Sequence, residues 1–316
     1  MKDINFLWQD HSAHDDLTAE RIAKINPDKL IVNVDGPGSD VTNPQCGPSI
    51  SQMISFAEDL KRAGFTGILV MHPDATKGDY QHDWNGKGNL PKRSTDKSWM
   101  SYCDYLHEMN EALDIKSLPT FREILIETES SYIPRTPEMF KDIRNYLLNE
   151  LNEKVTISTT GDWNIDRKSL GVGAVYPQMY DMAYVSNCLR GENVPSKDRA
   201  NVVAKAMVDI LKDKPAMLND PRVFFTFSYG VDDVDAPVFG NPKRIWNESL
   251  FRYFCDQFKK ELSAYTGSDV NTGAWHTSVL LSNWNSLSTW NLKEKSWTIG
   301  TIGFLLILII WAFLLS

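Results

Sequence analysis

The chain has 316 residues, a formal net charge of −8, and a composition that is 42% hydrophobic and 23% charged. This length allows one large domain or two ordinary ones, and the composition excludes a wholly disordered chain. No run of Lys and Arg forms a basic arm, and a sequence-independent nucleic-acid binder needs a basic surface to displace counterions. We therefore expect no nucleic-acid partner.

Strand-like segments recur along the whole chain. Each is a short apolar run rich in β-branched residues, bounded by turn-forming residues. In chain order they are 4–8, 29–36, 65–74, 122–129, 154–162, 174–182, 222–230 and 276–285.

Helix-like segments fill the intervals. The segment 49–64 has apolar residues at the i, i+3, i+4 spacing and ends at Gly64. The segment 136–152 opens with Thr136 as the N-cap and Pro137 at the first helical position. The other helical segments are 98–113, 164–171, 196–214 and 247–265, of which 164–171 holds only one turn.

Strands that alternate with helices predict an α/β fold, and eight of them predict a (β/α)8 TIM barrel over residues 1–290. A doubly wound parallel sheet is the alternative, because it also alternates strands and helices. No GxGxxG follows the first strand, and GxxxxGK[ST] occurs nowhere in the chain. The absence of these phosphate-binding motifs favours the barrel.

Polar and aromatic residues collect where the predicted strands end. In a (β/α)8 barrel, the C-terminal strand ends and the loops that follow them form the active site. The N-terminal strand ends show nothing comparable. We therefore expect a functional face at the C-terminal ends. Its residues are Asp35, His72, Asp74, Glu127, Glu129, Asp162, Trp163, Gln178, Tyr180, Asp181, Tyr229 and Trp284.

The fourth strand ends in two acids, Glu127 and Glu129, within the stretch EILIETESS. Strand alternation puts both on one face, with Thr128 on the other. Two neighbouring carboxylates repel, so the pKa of one rises and the other stays low, which yields an acid beside a charge stabiliser. The alternative is a strand end in solvent, with the acids paired to Arg122 or Arg135.

Two of these strand ends resemble motifs of glycoside hydrolase family 18, the chitinase-like barrels. The E-T-E at the end of strand four looks like a degenerate form of the family's DxxDxDxE signature. The YPQMYD of strand six resembles the family's [MQ]-x-Y-[DN] segment. Trp284, at the predicted end of strand eight, is similar in position to the tryptophan that floors the sugar subsite. The resemblance covers roughly residues 1–290.

The resemblance implies a substrate-assisted reaction on glycans that contain N-acetylhexosamine. Glu129 would protonate the glycosidic oxygen, and Glu127 would hold the substrate's N-acetyl group as that group attacks its own anomeric carbon. Such enzymes need no enzymic nucleophile, and the resemblance implies no cofactor. The remaining substrate contacts implied are Gln178, Tyr180, Asp181 and Trp284.

The chain departs from the signature within strand four. Arg122 and Leu125 stand where the family has its first two aspartates, and Glu123 stands where it has Gly. Glu127 replaces Asp and adds one methylene, and a misplacement of about 1 Å can cost 10²-fold in rate. A non-catalytic glycan-binding protein, or a structural membrane protein such as one of a virion, is therefore an open alternative.

A metal-dependent hydrolase on the same barrel is the second alternative. His11 and His14 lie among aspartates just beyond strand one, where barrel metalloenzymes place ligands. Their HxxH spacing is not the HxH of amidohydrolases, and no HExxH occurs. Asp15 and Asp16 also suit the start of the next helix.

The longest break in the pattern, residues 74–98, is rich in Gly, Asn and Asp. Long loops in compact domains often act as lids, so we expect a lid that carries Trp84 as a sugar contact. Asp35, Trp163 and Tyr229, each near a predicted strand end, are further candidate substrate contacts.

The residues 296–316 carry no charge and would form a helix that is apolar all round. Such a helix spans about 31 Å, close to the hydrocarbon thickness of a bilayer. We predict a linker at 291–296 and a transmembrane helix at 297–315. Because no secretory signal opens the chain, we expect a tail anchor in a lipid bilayer with the barrel on the cytosolic side. The four scattered cysteines suit free thiols there, with two disulfides as the alternative.

Overall fold

A computed structural model of the chain describes residues 4–8, 19–34, 50–73, 99–126, 136–161, 165–177, 197–228 and 248–275. The strands in these ranges are β1 (Phe6–Trp8), β2 (Lys29–Val34), β3 (Ile68–Pro73), β4 (Phe121–Ile126), β5 (Thr156–Gly161), β6 (Ala174–Pro177), β7 (Phe224–Ser228) and β8 (Asn271–Trp275). The helices are α1 (Ala19–Ile25), α2 (Ile50–Arg62), α3 (Trp99–Ile115), α4 (Pro137–Asn145), α5 (Arg167–Leu170), α6 (Lys197–Leu211), α7 (Pro215–Leu218) and α8 (Glu248–Thr266), and a π-helical turn (Tyr146–Glu150) follows α4.

The strands form one parallel sheet in the order β6–β5–β4–β3–β2–β1–β8–β7. The two end strands of that order meet through a parallel bridge between Val175 of β6 and Val223, the residue before β7. There the Val175 amide donates to the Arg222 carbonyl at 3.1 Å. The eight parallel strands thus form a nearly closed barrel, which fits the predicted (β/α)8 fold.

The helices cover the outside of the barrel, and their ends follow the signals in the sequence. In α2, Met53 and Leu60 are buried. The chain leaves this helix at Gly64, whose φ of 84° is a left-handed conformation that favours glycine. The Thr136 hydroxyl accepts the Met139 amide at 3.2 Å at the start of α4, as its sequence predicts. The segment that predicts one turn forms the single turn α5.

The prediction for strand eight is wrong in position. The strand that pairs with both β1 and β7 is Asn271–Trp275, directly before the predicted run 276–285. Its sequence NTGAW has weak β propensity because of Asn and Gly. Gly273 is nevertheless suited to this place, because a Cβ there would lie 2.3 Å from Cδ1 of Phe6. Close packing in the barrel thus outweighs the propensity that favours the later run.

Alternate residues of each strand face the barrel lumen. The apolar residues of the lumen form their own cluster, whose members are Phe6, Trp8, Ile31, Val70, Leu125, Ala174, Tyr176 and Phe224. Intervening residues such as Leu30, Ile124 and Val175 belong to the larger core between the strands and the helices. In β4 the odd-numbered positions 123 and 125 therefore face the lumen, and in β6 the even-numbered positions 174 and 176 do.

None of the helices in the described ranges has the length and apolar character needed to cross a bilayer. The predicted linker 291–296, the predicted transmembrane helix 297–315 and the barrel boundary at residue 290 lie outside those ranges. Cys103 and Cys255 are buried free thiols, which agrees with the free-thiol interpretation for this pair. Burial raises the pKa of Cys103 far above its usual value, so this thiol is unreactive.

Candidate functional site

Four buried side chains lie towards the C-terminal ends of the odd-numbered strands: Trp8 of β1, His72 of β3, Thr160 of β5 and Thr226 of β7. Alternate strands of a (β/α)8 barrel contribute to a common layer of lumen side chains. The His72 ring meets the Trp8 ring edge-on, with 4.7 Å between the centroids. Thr160 pairs in register with the lumen residue Tyr176, so the two share a face of the sheet. We call these four residues the C-terminal layer.

His72 lies inside the predicted strand 65–74, near the C-terminal end of the observed strand. It belongs to β3 and is buried in the lumen. Among the residues that the structure describes, no three His, Cys, Asp or Glu side chains come together as a metal site. His11 and His14, the candidate ligands of the metal alternative, lie outside the described ranges.

A second polar group lies lower in the lumen and joins Lys29 of β2, Glu123 of β4 and Tyr176 of β6, which we call the lumen triad. The Lys29 Nζ donates to Glu123 Oε2 at 2.6 Å and to the Tyr176 hydroxyl at 2.9 Å. The Tyr176 hydroxyl in turn donates to Glu123 Oε1 at 2.7 Å. Its ring stacks on Phe224, with 5.1 Å between the centroids, and meets Phe6 edge-on at 5.2 Å. The three polar groups thus form a closed hydrogen-bonded set within an aromatic wall.

The electrostatics of the lumen triad are balanced internally. Burial raises the pKa of Tyr176 well above its usual value, and the charge of Glu123 and the hydrogen bond to it raise that pKa further. The phenol is therefore neutral at physiological pH and acts as a donor. The Lys29 ammonium offsets the Glu123 carboxylate and lies 3.8 Å from the centroid of the Phe224 ring. Because the side chains of Lys29 and Glu123 are only 13% and 2% exposed, the pair is shielded from solvent.

The lumen triad was not predicted from the sequence. Lys29 begins β2 and Glu123 lies near the start of β4, positions where charges commonly reach water. The alternation of side chains along each strand was the available signal. Glu123 faces the same side of β4 as Leu125, and Lys29 faces the same side of β2 as Ile31. This alternation places both charged side chains in the lumen, but it does not show that they bond to each other.

Glu127 and Gln178, two of the predicted site residues, come directly after described strands. The described part of β4 ends at Ile126, one residue before Glu127, and β6 ends at Pro177, one residue before Gln178. In a parallel barrel all these strand ends lie at one edge. Apart from His72, the residues predicted for the site and the functional face all lie outside the described ranges: Asp35, Asp74, Trp84, Glu127, Glu129, Asp162, Trp163, Gln178, Tyr180, Asp181, Tyr229 and Trp284.

No protein-family model matches this chain, and no curated protein matches it. Among solved structures, concanavalin B is similar at 12% identity, over 88% of this chain and 94% of that chain, with a TM-score of 0.47. A GH113 beta-1,4-mannanase is similar at 12% identity, over 87% and 88%, with a TM-score of 0.44. An HpcH/HpaI aldolase from Desulfitobacterium hafniense DCB-2 is similar at 9% identity, over 93% of both chains, with a TM-score of 0.41. Similarities this low assign no function.

Proposed function

We propose that this protein is a glycoside-hydrolase-like barrel that cleaves glycans containing N-acetylhexosamine by substrate-assisted acid catalysis. The observation that carries the proposal is the phase of β4. Glu123 and Leu125 face the lumen, while Ile124 and Ile126 face the outer core. An alternation that continues past Ile126 brings Glu127 and Glu129 into the lumen phase at the C-terminal edge.

The phase of β6 supports the same proposal. Tyr176 faces the lumen, so an extended continuation brings Gln178 and Tyr180 into the lumen phase. The Tyr176 hydroxyl reaches Glu123 at 2.7 Å, which means that lumen side chains of β6 and β4 meet across β5. The same closeness at the strand ends would bring Tyr180 next to the two acids. Asp181 has the opposite phase, so its proposed contact requires the chain to turn at that point.

In the proposed reaction, Glu129 donates its proton to the glycosidic oxygen, and the bond from that oxygen to the anomeric carbon breaks. The acetamide oxygen of the substrate bonds to the same carbon, and Glu127 stabilises the positive charge that develops on the acetamide. Water then attacks the anomeric carbon, the bond from that carbon to the acetamide oxygen breaks, and the Glu129 carboxylate takes a proton from the water, which regenerates both the acid and the acetamide. General acid catalysis of this kind contributes about 10²–10⁴ in rate.

The test is the release of fluorophore from chito-oligosaccharides by the full chain. Glu129→Gln removes the transferable proton, so the rate should fall by about 10²-fold or more. Glu138→Gln is the matched control, because Glu138 lies exposed in the first turn of α4 and its loss should leave the rate unchanged. A wild-type protein that is folded but releases no fluorophore overturns the proposal, as does an active Glu129→Gln variant.

One observation favours non-catalytic glycan binding as a second candidate function. Leu125, which stands where the resemblance implies an aspartate, packs in the apolar lumen cluster with no carboxylate in its place. A barrel of this kind would retain the sugar platform and lose the acid chemistry. Chito-oligosaccharide binding measured by calorimetry without hydrolysis would identify this outcome.

The sugar platform is proposed to include Trp275 besides Trp284. Trp275 pairs with Ser228 at the C-terminal edge of β8, the edge at which the proposed acids follow β4. Substituting Trp275 and Trp284 separately by Leu should identify the platform by loss of chito-oligosaccharide affinity. Stacking on an indole ring is the contact that is lost in the correct variant.

We also propose that residues 297–315 anchor the protein in a bilayer with the barrel on the cytosolic side. The support is the uncharged apolar run itself. The full chain should float with lipid vesicles after alkaline extraction, and Leu306→Arg with Ile309→Arg should abolish flotation. In cells, a protease added outside sealed membranes should reach the barrel only from the cytosolic side. Flotation by the double variant, or protection of the barrel, contradicts these proposals.

A further inference from the structure

The lumen triad joins strands that are not neighbours in the sheet. β3 lies between β2 and β4, and β5 lies between β4 and β6, so the backbone ladders set the distance between these strands only indirectly. The bonds from Glu123 to Lys29 at 2.6 Å and to Tyr176 at 2.7 Å cross the lumen directly. Apolar contact is non-directional, whereas these bonds restrict both distance and angle. The triad therefore constrains β4 relative to β6 more tightly than apolar packing does.

We propose that the lumen triad is a positioning device for the proposed site: it sets the distance and register between β4, which leads into Glu127 and Glu129, and β6, which leads into Tyr180. This inference rests on the proposed function. It assigns Lys29, Glu123 and Tyr176 a role that is separate from contact with substrate.

We expect the triad to lie too far from the proposed acids to act on the substrate itself. If the chain stays extended past Ile126, four residue rises would separate Glu123 from Glu127, a distance of about 13 Å. Its influence would instead pass along β4 and β6 as a displacement of their C-terminal ends. A shift of about 1 Å in a reacting group can cost 10²-fold in rate, so a small loss of register in these strands is sufficient.

The sequence of β4 supports this role. The family signature that β4 resembles has Gly at the position of Glu123 and Asp at the position of Leu125. In this chain the carboxylate is therefore two residues earlier, at the next lumen position down the strand. There Glu123 accepts hydrogen bonds from two other strands, which a Gly at that position cannot do.

The first test replaces the triad by apolar side chains, as Lys29→Met, Glu123→Leu and Tyr176→Phe together in the full chain. Replacing a buried ion pair by packed apolar groups often leaves stability unchanged or raises it. A triad with only a structural role therefore predicts a folded protein with the wild-type kcat. Positioning instead predicts a folded protein whose kcat on fluorogenic chito-oligosaccharides falls by about 10²-fold, with a much smaller change in KM. It also predicts faster amide exchange at Ile124–Ile126.

The second test uses single variants and is informative even if the triple variant fails to fold. Tyr176→Phe keeps the ring and removes the hydroxyl that joins β6 to β4. Tyr146→Phe is its matched control, because the Tyr146 hydroxyl donates to Asp104 at 2.7 Å in the helical layer, away from the lumen. Only Tyr176→Phe should lower kcat and speed amide exchange in β4.

The outcomes separate this inference from the function on which it rests. An active wild type, with kcat and β4 exchange unchanged in Tyr176→Phe, overturns the positioning role and leaves the proposed function standing. A wild type that is inactive on every chito-oligosaccharide overturns the proposed function. In that case, amide hydrogen exchange alone tests whether the triad constrains β4. Faster exchange at Ile124–Ile126 in Tyr176→Phe than in Tyr146→Phe supports this constraint, and equal exchange overturns it.

Discussion

The two ends of the barrel lumen hold different kinds of polar side chain: paired charged groups at the lower end and neutral groups at the upper end. Lower in the lumen, Lys29, Glu123 and Tyr176 supply one another with a charge partner and hydrogen bonds. At the upper end, the C-terminal layer consists of an indole, an imidazole and two hydroxyls, and none of these four side chains is a carboxylate or an ammonium.

This difference shows that the charged groups low in the lumen serve the stability of the barrel. A buried carboxylate needs a partner, and Glu123 finds two within the barrel. Glu127 and Glu129 follow Ile126, the last described residue of β4, in the sequence, and we predict that they lie beyond the layer of neutral side chains. In (β/α)8 barrels the N-terminal face generally serves stability and the C-terminal face serves chemistry. We therefore expect substitutions low in the lumen to change stability first, and substitutions at the upper end to change ligand binding first.

Removing one partner of the lumen triad is the strongest test of this comparison. Lys29→Met leaves the Glu123 carboxylate buried without its ammonium, and breaking a buried pair in this way costs about 3–5 kcal/mol. We expect the free energy of unfolding in urea to fall by that amount. The double variant Lys29→Met with Glu123→Leu should recover most of the loss, because it leaves no uncompensated charge.

Glu58→Gln provides the control for that experiment. Glu58 pairs with Lys116 at 2.9 Å on the surface, and a surface pair contributes at most about 1 kcal/mol. Equal losses in Lys29→Met and Glu58→Gln would show that the lumen pair is not a stability element, and the contrast between the two ends would fail.

Gly273→Ala tests the packing of the lumen. The added Cβ would lie 2.3 Å from Cδ1 of Phe6, and the Phe6 ring is held by contacts with Tyr176 and Phe224 at centroid distances of 5.2 and 6.0 Å. Overpacking of this kind costs about 1–3 kcal/mol, which thermal unfolding would detect as a lower Tm. Adding Phe6→Leu should recover part of the lost Tm. If it recovers nothing, the contact with Phe6 is not the cause of the destabilisation.

The same glycine explains why strand eight was predicted too late in the chain. The fold follows from the spacing of apolar runs and helix caps, such as Thr136 before α4, because those signals are local. The identity of β8 depends instead on the space beside Phe6, which is 267 residues away in the register of β1 and β8. Local propensity contains no information about such a contact, so it favoured the more apolar run 276–285.

The candidate site shows the same limit. Strand phase was readable from the sequence, and it places Glu123 on the lumen side of β4. The partners of Lys29 were not readable, because Glu123 and Tyr176 lie 94 and 147 residues away. Only closure of the barrel brings β2, β4 and β6 together. The predicted strand-end residues, among them Glu127 and Glu129, remain predictions.

Alkaline unfolding tests the lower half of the lumen through Tyr176. The folded-state pKa of this phenol is raised above 10, the usual value. Above pH 10 the unfolded chain therefore loses this proton while the folded chain keeps it, so stability decreases as pH rises through this window. The decrease is at most about 1.4 kcal/mol per pH unit from this group. Tyr176→Phe should show a shallower decrease, and parallel curves for the two proteins would contradict the assignment.

A pair of Thr→Val substitutions tests the upper end and should have the smallest effect on stability. The Thr226 hydroxyl faces the lumen and makes a long hydrogen bond of 3.3 Å to the Phe224 carbonyl. The Thr159 hydroxyl donates to the Ile126 carbonyl at 2.8 Å. Thr159 faces the opposite side of β5 from Thr160. Thr159→Val should cost about 1 kcal/mol and Thr226→Val less, because the longer bond is weaker. Calorimetry with chito-oligosaccharide should show the reverse order, with affinity reduced only in Thr226→Val. If Thr226→Val instead loses stability and keeps its affinity, the C-terminal layer serves stability, as the lower lumen does. Ligand binding would then begin only beyond the C-terminal ends of the described strands.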